Sequence, residues 1–249
     1  MTSPSQLAEG RAALDRGDAP AALQLADAVL AERPGDDAAH ELRARALLAM
    51  GRAAEAERDA QDAVRLDPDE IRYRELLADT LAAEGAHHDA ASEYGRLARN
   101  DPRQRDWALA EAGERLSADE TGQAAEAARR AVRLDPADAD AQLALARALT
   151  RSGDVREALA AATTATELRP GDAAAREALA EAHWLAGDES KAFRELRQLT
   201  AALGSAERSR LTEKARRLYR SRAGWFGRLV AGWPWLFETA FRRGWVSLQ

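Results

Sequence analysis

The sequence predicts an all-α fold built as a linear array of helix pairs. Three observations predict it. Five of the eight prolines, Pro34, Pro68, Pro102, Pro136 and Pro170, follow one another at intervals of 34 residues. A turn glycine keeps the same phase at Gly17, Gly51, Gly85, Gly153 and Gly187. The composition is rich in Ala, Leu, Glu and Arg, with three Tyr and four Phe in 249 residues. Strong helix formers dominate and β-branched residues are scarce, so strands are not expected. A fixed period in this range marks a stacked repeat. Proline breaks each cycle because it lacks an N–H and pushes the residue before it out of the α region.

The first helix is expected to start at once. Ser3 reads as its N-cap, Pro4 as its first residue and Gln6 as the capping-box partner. The opening residues carry no basic run followed by an apolar stretch, so the expectation is a cytoplasmic protein without a secretory signal. In the second cycle Asp36 or Asp37 caps the start. Ala39, Leu42, Ala46 and Leu47 form an apolar stripe at helical spacing. Gly51 then supplies a left-handed C-cap after Met50. Ala53, Ala56, Ala60 and Val64 form a second stripe that stops before Asp67-Pro68. Small residues on that second face let two helices pack closely. An alanine recurs five residues after each turn glycine, at Ala22, Ala56, Ala90, Ala158 and Ala192.

These positions resemble the tetratricopeptide repeat (TPR). That family's unit of 34 residues has a small residue at position 8, Gly near 15, Ala at 20, an aromatic or apolar residue at 24, Ala at 27 and Pro at 32. Position 8 here is Gly10, Ala44, Ala78, Ala112, Ala146 and Ala180. Position 20 is the alanine series above, with Ala124 in the fourth unit. At position 24 the aromatic survives once, as Tyr94, among Ala26, Ala60, Ala128, Ala162 and Leu196. Position 27 keeps Ala63, Ala131 and Ala165. The resemblance implies a right-handed helix-turn-helix solenoid of six units over residues 1–204.

The fourth unit departs from the pattern. Asp119 stands where the glycine should be, Gly122 follows three residues later, and Gly113 is expected to interrupt the first helix. Two readings follow: a looser unit, or local irregularity overridden by stacking on both sides. Gly204 replaces the ladder proline in the sixth unit, so the array ends there. Residues 205–222 then form a polar capping helix with a narrow stripe of Leu211, Ala215, Leu218 and Tyr219. A repeat array needs such a solvating end.

No catalytic constellation is visible, and the chain is not expected to be an enzyme. There is no cysteine, hence no thiol chemistry. There is no phosphate-binding glycine loop and no Ser/His/Asp arrangement. The four histidines, His40, His87, His88 and His183, are dispersed, and His87-His88 reads as an exposed turn pair. No metal and no cofactor are expected. Recognition in a groove is the remaining class. The resemblance implies that positions 2, 5, 9 and 12 of each unit line the concave face, which is an extended binding surface in solenoids. The groove residues singled out are Arg11, Arg45, Arg72, Glu75, Asp79, Leu109, Arg147, Glu181 and Trp184. Arg11 and Arg45 suit acidic residues of a protein or peptide partner, and Trp184 an apolar one. Against this, Glu41 and Arg45 stand at i,i+4 and can satisfy each other. Neither Lys191 nor Lys214 falls at a groove position and Asn100 is the only Asn, so a chaperone-type carboxylate clamp is disfavoured.

Charge divides the chain. Residues 204–249 hold ten Lys/Arg against three Asp/Glu, or +7, and the remainder is −13 of the total −6. Residues 223–249 carry four of six tryptophans. On a helix, Phe226, Leu229, Val230, Trp233, Phe237 and Phe241 share one face, with Trp225 beside them and Arg242 and Arg243 following. The uncharged run is too short to span a bilayer. Three destinations compete for this segment: the array or a second copy of the chain, an anionic membrane surface at the inner face, or a specific partner. No nucleic-acid motif accompanies the basic residues. The sequence thus predicts an interaction scaffold, with a membrane-surface assembly factor as the alternative.

Overall fold

The computed structural model describes residues 3–202 and 204–222. All regular structure among them is α-helix. Six helix pairs follow the repeat: α1 Ser3–Asp15 and α2 Ala19–Glu32; α3 Asp37–Ala49 and α4 Ala53–Leu66; α5 Ile71–Glu84 and α6 His87–Asn100; α7 Arg105–Ser117 and α8 Thr121–Leu134; α9 Ala139–Ser152 and α10 Val155–Leu168; α11 Ala173–Leu185 and α12 Glu189–Ala202. The capping helix, α13, spans Ser205–Arg222. The first helix of every pair begins at position 1 and the second at position 17, so the proline ladder fixes the phase to the residue. The chain divides into two compact units, which meet in sequence between Glu120 and Thr121. Among the described residues no helix is long and apolar enough to cross a membrane.

Alanine lines the buried sides of the helices. Ala22, Ala56, Ala90, Ala124, Ala158 and Ala192 are each 0% exposed, and so are Ala44, Ala78, Ala112 and Ala146 at position 8. Gly10 serves the first unit, where a Cβ would stand 2.4 Å from Leu42 Cδ2. Leucines at Leu42, Leu76, Leu97 and Leu149 fill the space between consecutive pairs and are at most 2% exposed.

Each helix pair is joined by the same closed turn. The residue at position 15 is left-handed in every unit, with φ from +73° to +87° at the five glycines. Asp119 takes that conformation at φ +60°, the one non-glycine with positive φ among the described residues. Aspartate tolerates this region better than most side chains. The position-16 N–H donates to the position-11 carbonyl in all six units, at 2.8 to 3.0 Å. This bond satisfies a carbonyl that the helix end would otherwise leave bare. The turn of the fourth unit therefore closes like the others. Gly113 does not interrupt α7, contrary to expectation: Ala108, Glu111 and Ala112 are buried along that helix and hold it in place. The cost of one helical glycine, about 1 kcal/mol, is smaller than what that packing supplies. At the N-terminus α1 includes Ser3, one residue ahead of the expected start, and Gln6 Oε1 is buried without a hydrogen bond, so the capping box is not formed.

A second recurring bond was not visible in the sequence. The side chain at position 4 donates to the carbonyl of the ladder proline before it. His40 reaches Pro34 O at 2.9 Å, Arg74 reaches Pro68 O at 3.4 Å, Gln142 reaches Pro136 O at 3.0 Å and Arg176 reaches Pro170 O at 2.9 Å. The residue types differ, so no sequence pattern announces the bond. The fourth unit has Ala108 there and lacks it. Its α7 is tied back instead by Trp107, whose Nε1–H donates to Glu75 Oε1 at 3.1 Å. Gln142 is 8% exposed, so Gln142→Leu removes the donor of a part-buried bond. We expect it to lower stability by about 1 kcal/mol in urea unfolding, whereas an exposed change such as Gln24→Leu leaves the midpoint in place.

Candidate functional site

Successive first helices α1, α3 and α5 present position 9 side by side, and there they enclose an open cleft of about 660 Å³. Helix α1 contributes Arg11, Leu14 and Asp15; α3 contributes Glu41, Arg45, Leu48 and Ala49; α5 contributes Arg72, Leu76 and Asp79. The leucines make an apolar floor and the charged residues make the walls.

The wall charges are held in a definite order. Glu41 is 4% exposed, and a buried carboxylate needs partners. It has two: Arg11 Nη2 donates to one oxygen at 2.9 Å and Arg45 Nε to the other at 3.0 Å. The i,i+4 pair expected from the sequence is therefore formed, and Arg11 joins it from the neighbouring repeat. One carboxylate thus orients two guanidinium groups. Each uses one of its five N–H donors on Glu41, and the side chains of Arg11 and Arg45 remain 47% and 44% exposed. Arg72 is held by Glu70 at 3.0 Å, and its guanidinium stands 5.9 Å from the Tyr73 ring. Asp79 accepts a hydrogen bond from the Tyr94 hydroxyl on Oδ1. The concavity crowds Asp79 while leaving it open to solvent. Burial raises its pKa, with Glu75 adding to the rise and the Tyr94 bond and Arg45 opposing it. Tyr94 is pushed up in turn, by burial and by Asp79.

The other predicted residues lie elsewhere. Glu75 accepts from Trp107 and does not line the cleft. Leu109 is half-buried on α7. In the fifth repeat Arg147 is exposed on α9. Glu181 on α11 is taken by Lys214 of α13, which also binds Glu177 at 2.5 Å, while Arg210 adds a bond to Glu177 at 2.7 Å. Burial raises the Glu177 carboxyl, but these two cations outweigh it and leave its pKa lowered. Lys214 therefore does reach groove positions, from the capping helix; the register of the six units alone does not locate it. Trp184 packs edge-on against Phe193 at 5.8 Å. Leu211 and Ala215 of α13 are fully buried, as their stripe predicts. The segment containing Trp225, Phe226, Leu229, Val230, Trp233, Phe237, Phe241, Arg242 and Arg243 lies outside the described residues.

Sequence reasoning missed two polar clusters. His87 and His88 are not a free turn pair: Nδ1 of His87 stands 2.7 Å from Glu114 Oε2, and Nδ1 of His88 stands 2.5 Å from Glu120 Oε1. These bonds join α6 to the end of the next repeat's first helix. His40, Asp59 and Asp62 bring ligand atoms within 4.8 Å of one another. They do not fit a metal ion. Arg43 donates to both oxygens of Asp59, at 2.8 and 2.6 Å. Both nitrogens of His40 are engaged, by Asp59 at 2.8 Å and by Pro34 O.

Family models described as tetratricopeptide repeat match residues 13–80, 109–155 and 143–207. The chain belongs to the tetratricopeptide-repeat family. No curated protein sequence matches it. Solved structures with the same fold include a tetratricopeptide repeat protein from Parabacteroides merdae, with TM-score 0.70 and 15% identity over 95% of this chain and 98% of that one. PilW, a type IV pilus biogenesis factor, gives 0.67 and 16% over 84% and 97%. YrrB, a TPR protein with an unusual peptide-binding site, gives 0.59 and 18% over 71% and 91%. At these identities the likeness concerns the TPR fold alone.

The raised pKa of Asp79 has a consequence for stability. A carboxyl whose pKa is higher folded than unfolded favours folding only while it is protonated, and disfavours it once pH passes above the folded value. Asp79→Asn keeps an acceptor for Tyr94 and removes the charge. We expect the variant to melt above the parent chain at pH 7, and the difference to shrink as pH falls toward about 4.

Proposed function

We propose that this TPR array is a non-enzymatic interaction scaffold whose N-terminal cleft receives an extended segment of a protein partner. The observation that carries this reading is the contrast between the first and last groove positions. At the C-terminal end, Glu177 and Glu181 are taken by Arg210 and Lys214 of the chain itself, and Asp140 is taken by Arg169 at 2.7 and 2.5 Å. In the N-terminal unit, Arg11 and Arg45 are held in place by Glu41 yet keep most of their N–H donors unengaged above an apolar floor. Pre-oriented guanidinium groups bind carboxylates without first ordering their own side chains. Family membership supports an interaction role in general. Affinity capture with the full chain and with an Arg11→Gln/Arg45→Gln variant checks the site. At position 45 glutamine places its Nε2 where the arginine Nε donates, so Glu41 keeps a donor and the variant is expected to fold. We expect it to lose the partners that the parent chain retains; recovery of an identical set removes the cleft from consideration.

A second reading places the array at an anionic membrane surface. It is favoured by α13, which carries seven Lys/Arg against two Asp/Glu and leads directly into the basic aromatic segment. Such a pair of signals suits peripheral attachment. Flotation with vesicles of mixed phosphatidylcholine and phosphatidylserine compares the full chain with one ending at Leu203. The full chain is expected to float and the shortened one to stay behind; equal flotation of both rejects the tether.

A further inference from the structure

The order of charges along the cleft points beyond the existence of a site to the kind of segment it takes. Position 9 is Arg11 on α1, Arg45 on α3 and Asp79 on α5, so a ligand crossing these helices meets plus, plus and minus. Two acceptors of the cleft are open, Asp15 on α1 and Asp79 on α5: at Asp79, Tyr94 occupies Oδ1, and Oδ2 has no hydrogen-bond partner among the described residues. Asp79 is also held where the fold does not gain from its charge, with Glu75 beside it and Arg45 the opposing cation. Charged groups kept against stability cluster at functional sites. Neighbouring first helices lie about 9 Å apart, and an extended chain advances about 3.3 Å per residue. One repeat is therefore crossed in about three residues.

We propose that the cleft selects an extended segment bearing two acidic residues about three positions apart, followed about three positions later by a Lys or Arg whose cation sits on Asp79. The carboxylates take the open N–H donors of Arg11 and Arg45, and apolar residues between them rest on Leu14, Leu48 and Leu76. A purely acidic segment leaves Asp79 facing a like charge or water, and a purely basic one faces two guanidinium groups. The mixed order satisfies all three position-9 side chains, and it discriminates by penalising the wrong sign at each of them. This inference rests on the reading of the cleft as a peptide site.

The test is selection of a displayed library of random twelve-residue peptides on the immobilised full chain, in parallel with Asp79→Asn and with Arg11→Gln/Arg45→Gln. The parent chain is expected to enrich acid, acid and base at this spacing, in either chain direction. Asp79→Asn should keep the acids and lose the base. A synthetic peptide of the recovered sequence should bind Asp79→Asn about tenfold more weakly, and replacing its basic residue by Ala should then cost nothing further. Enrichment of acids without a base, or of the base equally on Asp79→Asn, overturns the charge order and leaves the cleft as a site. Absence of any enrichment over the Arg11→Gln/Arg45→Gln chain overturns both.

Discussion

The structure depends on how closely two helices can approach. Positions 8 and 20 hold Ala or Gly in every unit, all of them buried. A side chain larger than a methyl there would crowd the facing helix, and at Gly10 even a methyl would meet Leu42 of α3, in the next pair. With the separation fixed, the rotation of each first helix is fixed as well, since the small residue must face its partner. Positions 2, 5, 9 and 12 then turn away from the pair. The cleft is the reverse side of the alanine contact.

Alanine burial supplies little free energy per residue, because the effect scales with the apolar area removed from water. The array compensates with polar bonds that recur in phase. The turn at position 15 closes through the same backbone bond in all six units, and four of the five inter-repeat junctions add a side-chain donor to the proline carbonyl. The proline that ends one helix pair thus also presents the acceptor that seats the next. Stability in such an array is a sum of unit and nearest-neighbour terms, so a junction without the bond is a local weakness unless another contact replaces it. At the third junction, after Pro102, Trp107 and Glu75 provide the replacement. The same unit carries Asp119 in place of glycine, and the boundary between the two compact units falls directly after that turn, at Glu120.

The fold was legible because its determinants are periodic. Pro34 to Pro170, the turn glycines and the alanines at position 20 state the architecture six times over, and noise in one unit is corrected by the others. Arg11, Arg45, Arg72 and Asp79, which the register numbers, line one cleft. What could not be read was whatever depends on contacts between unlike residues. The latch to the proline carbonyl is made by His, Arg, Gln and Arg in turn, and no residue type marks it. The pairing of Arg11 with Glu41 spans 30 residues. Lys214 reaches Glu181 from a helix that the repeat does not number. Gly113 misled because propensity is a weak prior that tertiary packing overrides.

The first and last repeats differ in how their charged residues are already paired. Guanidinium and carboxylate groups are costly to desolvate, so a groove residue already paired within the chain offers a ligand little beyond exchange of one partner for another. Glu177 and Glu181 are in that condition. Arg11 and Arg45 are paired too, but they share one buried carboxylate, and each spends one of its five N–H donors on it. Glu41 is thus the residue on which the site turns. It touches no ligand in this scheme, yet its burial forces the pairing that orders both arginines, and it derives that burial from the same helix contact that shapes the repeat. The chemistry of the cleft follows from the packing of its back face.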